Sequence, residues 1–300
     1  MRIIVLGSAA GGGFPQWNGA CAAGRRAWQG DPVARWRTQC SVAVSADGER
    51  WVLLNAAPDL RQQILATPAL HPRRQPRHSP IEAVVLTSGE IDAIAGLLTM
   101  RERHPFALYA TGAVLEVLRA NPIFQALDPS CVGRHRLELE RPVEVAPGLR
   151  VVPFAVPGKV ALFLEQGTPQ IGAEGEDVIG LEVRGEAEAR FFFVPGCARV
   201  SERLAARLRG APLLLFDGTL WTDDEMIRTG TGEKTGARMG HISVSGAEGS
   251  IAALAGLGIE RRIFVHVNNT NPMLLEDSPE RAAAQNAGWE VAHDGMEIEL

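Results

Sequence analysis

Ten short apolar runs recur along this chain: "RIIVLG", "SVAVSA", "RWVLLNA", "IEAVVLTS", "LRVVPFAV", "VIGLEVR", "RFFFVPG", "APLLLFDG", "RRIFVHV" and "MEIEL". Each has strand length, and most are rich in β-branched or aromatic residues, which pack well on a pleated surface. Helical patterns lie between them: "PDLRQQILA", "AIAGLLTMRER", "TGAVLEVLRA", "VSERLAARLRG" and "SGAEGSIAALAGLG". Thr111 and Ser201 stand where helix N-caps are wanted, and Ser245 with Glu248 reads as a capping box ahead of a stop at Gly256 or Gly258. Strands come consecutively in the first half and alternate with helices in the second. That order suits two sheets packed face to face with helices outside better than a doubly wound parallel sheet. The expected fold class is α/β (α+β), a four-layer αββα sandwich, with one domain over residues 1–300. Gly167 to Asp177 is Gly- and acid-rich and reads as a surface loop.

With 46% hydrophobic and 22% charged residues, the chain can bury a sizeable core. A net charge of −5 and no basic run interleaved with aromatics argue against nucleic acid as a partner. "HPRRQPRH" (71–78) is locally basic and reads as a solvated, Pro-punctuated loop. No apolar stretch approaches the roughly 20 residues of a membrane span, and the N-terminal run is too short for a signal h-region. The expected location is therefore the cytoplasm, without membrane attachment, and the four cysteines, Cys21, Cys40, Cys131 and Cys197, are expected as free thiols.

Two glycine-rich segments resemble nucleotide loops and fail as such. "GSAAGGG" follows the first strand, but its glycines do not fall as G-x-G-x-x-G and Pro15 soon interrupts. "GTGEKTG" (230–236) has Glu233 where a phosphate loop needs glycine before the lysine, and a carboxylate there repels phosphate.

Four residues share one placement. Asp92 lies just past "AVVLTS", Asp217 ends "PLLLFDG", His266 ends "RIFVHV", and His241 sits before a helix start. Strand ends converge in layered α/β folds, so residues distant in sequence can meet around one cation. Two imidazoles and a carboxylate suit zinc or non-haem iron. The bland alternatives are an Asp-Gly turn at Asp217 and a capping turn in "NNTNP".

At this point the sequence resembles the coenzyme PQQ synthesis protein B family, a family with the metallo-β-lactamase fold. The resemblance spans almost the whole chain. It is carried by "VLGSAAGGGFPQWN", "IDAIAGLL", "VPGK", "VPGCARV", "LLFDGTLWTDDEMIR", "KTGARMGHISVSG", "FVHVNNTNPMLLEDSPERA" and "GWEVAHDGMEIEL". It implies a metal centre with ligands at Asp92, Asp217, His241 and His266. The implied ion is Fe(II), with zinc as the alternative in purified protein. The implied reaction is O₂-dependent hydroxylation of the tyrosine ring of a Glu–Tyr dipeptide, a precursor of pyrroloquinoline quinone (PQQ). Other PQQ-pathway proteins are the implied partners. Asn268, Asn269 and Asn271 are candidates to fix the substrate's polar groups, and Lys159 and Arg238 to pair with its carboxylates. Two alternatives stay open: carriage of PQQ or a precursor toward the periplasm without chemistry, and metal-dependent hydrolysis.

The family pattern breaks twice here. Its metal-binding turn ends in Asp-His, whereas this chain has Asp92-Ala93, and a methyl group cannot coordinate. Three clustered cysteines usually follow "PQWN" as a zinc knuckle. Here Gly19 and Gly24 replace two of them and only Cys21 remains, so no structural zinc is expected and residues 11–36 read as a looser loop.

Overall fold

The computed structural model describes residues 1–74 and 76–300; Gln75, in the basic loop, lies outside the described residues. Fourteen strands are described: β1 (Arg2–Gly7), β2 (Ser41–Ser45), β3 (Trp51–Leu54), β4 (Ile81–Val85), β5 (Phe106–Thr111), β6 (Val132–Leu137), β7 (Val143–Ala146), β8 (Leu149–Gly158), β9 (Ala173–Arg184), β10 (Arg190–Val194), β11 (Leu213–Asp217), β12 (Arg261–Val265), β13 (Trp289–Val291) and β14 (Met296–Glu299). They form two seven-stranded sheets, ordered β14-β1-β2-β3-β4-β5-β6 and β13-β12-β11-β10-β9-β8-β7. Each sheet is mixed. β3 to β6 run parallel in the first, and β10 to β13 in the second.

Three apolar layers stack through the molecule. The middle one joins the inner faces of the sheets, with Val42, Val44 and Val85 meeting Leu181, Val183 and Leu215. Another lies outside the first sheet, where Leu60, Leu97, Val114 and Leu118 pack on Leu53 and Val84. The third lies outside the second sheet, with Leu204, Leu208, Leu254 and Ala284 against Phe192, Leu214 and Phe264. This is the four-layer αββα sandwich. It explains why β11 reads "LLLF": Leu213 and Leu215 serve the middle layer and Leu214 and Phe216 the outer one, so both faces demand apolar side chains.

All ten apolar runs form strands. The helix caps at Thr111 and Ser201 form, their hydroxyls accepting from Val114 N and Leu204 N. Other expectations are corrected. The Ser245–Glu248 capping box does not form: the helix Ser250–Leu254 starts five residues later, after Gly249. The segment from Gly167 to Asp177 is a loop only in part, because β9 begins at Ala173 and pairs with the end of β8. The stretch 11–36 is more than a loop, since it contains the helix Ala22–Trp28. Cys21 caps that helix, its sulfur accepting from Gly24 N at 3.4 Å while its thiol donates to Asn269 O at 3.4 Å. A Cβ at Gly24 would stand 3.4 Å from the Cys21 sulfur, so the positions of the family's knuckle converge although only one thiol is present.

One buried acid sits in the wall behind the site. Glu225 is 5% exposed, and burial pushes its carboxyl up to about 7. Trp221 N and the Thr270 hydroxyl donate to it, at 2.7 and 2.5 Å, without offsetting its desolvation. The folded chain therefore holds this proton more tightly than the unfolded chain, and folding stability falls as pH rises from the ordinary glutamate value through about 7. We expect a loss of roughly 3 kcal/mol over that window from this group. Urea denaturation of the wild type and Glu225→Gln at pH 5 and pH 8 checks it; equal pH slopes for the two would disprove it.

Candidate metal centre

The parallel strands β4, β11 and β12 deliver their C-terminal ends to one side of the sandwich, where crevices open in such sheets. Asp217 is the last residue of β11. Gly218 follows it because a Cβ there would come within 2.8 Å of Phe264 on the neighbouring strand. His266 follows β12 in a left-handed conformation, φ 55°, which a non-glycine residue adopts at a cost. Two backbone hydrogen bonds hold it: Val267 N to Ser8 O and Asn268 N to Thr219 O, each at 3.0 Å. His241 follows the short helix Gly236–Met239, which Thr235 caps.

The structure brings Asp217, His241 and His266 together, with one donor atom from each lying within 4.8 Å of the others. Among the described residues this is the only such cluster of three. Asp92 stands outside that trio and touches it through His266, Oδ2 to Nε2, at 2.8 Å. The two imidazoles are stacked at 5.2 Å. Asp217 is fully buried and accepts four hydrogen bonds, from Cys197 N, Thr219 N, the Thr219 hydroxyl and His241 Nδ1, at 2.6 to 3.0 Å. Thr219 escaped the sequence reading, yet its hydroxyl also meets His266 Nδ1 at 2.8 Å. Its only sequence signal is its place two residues after Asp217.

The electrostatics fit a cation. Burial acts to raise both carboxyls, but His266 beside Asp92, and His241 beside Asp217, hold them below the ordinary range. Burial acts to lower His266, and Asp92 more than offsets it, so the imidazole is raised. With both ring nitrogens protonated, His266 donates to Asp92 and to Thr219, which donates on to Asp217. Those protons stand where a metal ion would compensate the same two buried acids, and nitrogen and oxygen donors suit zinc or iron. Because a metal must displace the His266 proton, affinity should fall as pH drops through that raised value. Metal titrations at pH 6 and pH 8 read this directly, and pH-independent affinity would remove His266 from the ligand set.

Cys40 also lines the cavity over the site; burial and then the Asp92 charge push its thiol up, and it stands outside the Asp217–His241–His266 cluster. The cavity measures about 1090 Å³. Ala93 lies in its wall and is 4% exposed. Of the five expected substrate-binding residues, Asn268, Asn269 and Lys159 reach the cavity. Asn271 does not: it is fully buried, donating to Gly218 O and accepting from Met273 N at 2.9 Å each, and it shapes the turn after His266. Arg238 is turned away onto Glu165 in a two-pronged pair at 3.2 and 2.8 Å, which holds the Glu165 carboxyl down to about 2. Lys159 joins the same acid at 3.0 Å and Glu90 at 3.4 Å. This network ties the helix before His241 to the turn that carries Asp92.

Two stacked sheets with an Asp–His–His cluster at the strand ends define a metallo-β-lactamase fold, and the Beta-lactamase superfamily domain profile matches residues 50–267. The chain is 58% identical to coenzyme PQQ synthesis protein B of Xanthomonas oryzae pv. oryzae (strain MAFF 311018), over all of both chains. It is 56% identical to that of Methylobacterium nodulans, again over all of both. The crystal structure of Zn(2+)-bound PqqB from Methylobacterium extorquens superposes with a TM-score of 0.98 at 54% identity, covering each chain completely. The chain belongs to the coenzyme PQQ synthesis protein B family. No helix among the described residues is long and apolar enough to cross a membrane.

Proposed function

We propose that this protein acts in PQQ biosynthesis in the cytoplasm, alongside other proteins of that pathway, as an iron- and O₂-dependent hydroxylase of the tyrosine ring of a Glu–Tyr-derived precursor. The observation that carries the reading is the convergence of Asp217, His241 and His266, with both histidines and Asp92 lining a cavity large enough for a dipeptide and Asp217 buried behind them. Family membership supports the pathway assignment. Those three side chains would hold the ion, with Asp92 as a fourth ligand or as a base. Iron(II) supplies redox chemistry toward O₂ there, whereas zinc, the ion bound in the Methylobacterium extorquens protein, supplies none.

The chain's own residues orient and exclude. Thr219 fixes the rings of both histidines relative to Asp217. Asp92 faces His266 and is placed to take a proton from a phenol lying beside it. Asn268 and Asn269 offer amides to the peptide group.

The test is anaerobic iron loading, then O₂ with the dipeptide and ascorbate, because inserting one oxygen atom and releasing the other as water takes two electrons from a reductant. The expected product carries one added oxygen on the ring. No hydroxylation by an iron-replete sample overturns the reading. One observation favours a carrier instead: Ala93 stands where the family has a ligand. Tight binding of PQQ by the metal-free protein, with no turnover by the iron-loaded one, would decide for it.

A further inference from the structure

Two Lys or Arg side chains line the cavity, Lys159 and Arg25. Lys159 has its charge answered: its side chain is 5% exposed and sits between Glu165 and Glu90. Arg238, the other cation expected to meet substrate, is paired with Glu165 as well. Arg25 is different. Among the described residues it enters no ion pair, and its one hydrogen bond runs from Nη1 to the Ala20 carbonyl at 2.5 Å. A guanidinium has five N–H donors in a rigid fork, so most of this one is unused. Its neighbour Arg26 shows the contrast, being held by Asp31 at 2.6 Å and by Asp277 at 2.8 Å.

We propose that Arg25 is the carboxylate-binding residue of the substrate site. The wall that Arg25 shares with His241 and His266 also carries amides. Asn269, three residues after His266, donates to Gln16 Oε1 at 2.6 Å, and Gln16 donates to Asn18 at 2.7 Å. All three line the cavity with Arg25. A ligand that spans the cavity from the histidines to Arg25 has amides suited to a peptide bond and a free fork suited to a carboxylate within the same wall. Such a ligand has an uncharged end at the metal and an anionic end at Arg25. The proposal rests on the dipeptide reading for the substrate's class, while the assignment of Arg25 stands on the charge pattern of the cavity.

The experiment is isothermal titration of the full-length, zinc-loaded protein, in which no turnover occurs, with Glu–Tyr, Gln–Tyr and Glu–Tyr amide. The wild type should prefer Glu–Tyr over at least one neutralised analogue by about tenfold, the size of a charge-assisted hydrogen bond. Arg25→Gln should lose that preference and Arg25→Lys should keep part of it, with zinc content and melting temperature unchanged because Arg25 is exposed. Equal affinity and equal discrimination in wild type and Arg25→Gln would overturn the subsite and leave the hydroxylase reading intact. Binding of PQQ but no dipeptide, weakened by Arg25→Gln, would sustain the subsite and sink the dipeptide reading. Failure of the wild type to bind any of these carboxylates would overturn it.

Discussion

Ala93→His is expected to tighten metal binding by roughly 10- to 100-fold, the range that single groups supporting a metal centre command. Ala93 follows Asp92 directly and lines the cavity that His266 also lines. The same methyl belongs to the apolar layer outside the first sheet, packed with Ile94 and Leu97. An imidazole must displace part of that packing, at an expected cost of about 1–3 kcal/mol in fold stability. The two effects separate in measurement: competition against a chromophoric chelator reads affinity, and thermal melting of the metal-free protein reads packing. Unchanged affinity in a folded variant would show that the chain completes its metal centre without an imidazole at this position.

The second large effect is at Asp217. Asp217→Asn should weaken metal binding at least about 100-fold, because the one fully buried ligand loses its charge. It should also destabilise the metal-free fold by about 1–3 kcal/mol. A backbone N–H points at each carboxylate oxygen, Thr219 N at Oδ1 and Cys197 N at Oδ2. An amide nitrogen therefore faces an N–H or O–H whichever way it turns. Undiminished metal content in the purified variant would remove Asp217 from the centre and take the proposed chemistry with it.

The sequence carried the architecture where both faces of a strand are buried, since such strands must be apolar throughout. It hid the margins. β6, "VGRHRL", is an edge strand with four exposed residues, so its composition reads as loop. β13 is three residues long, and β5 merges into the helix that follows it. The same divide runs through the site. The meeting of Asp217 and His266 was legible because strand ends converge in layered folds, and that of His241 because it stands at a turn between elements. Thr219 was not, because a hydroxyl acquires its role only when three partners gather around it. Arg238 and Asn271 misled, since an unpaired charge and a paired one look alike until the partner is found across the fold, 73 residues away for Arg238.

Asp92 hangs from the turn after β4 in one sheet, and His266 from the end of β12 in the other. The site therefore straddles the seam of the sandwich, and the bond between these two side chains works as a clasp. Both side chains line the cavity, so a ligand seated there touches residues carried by each half of the sandwich.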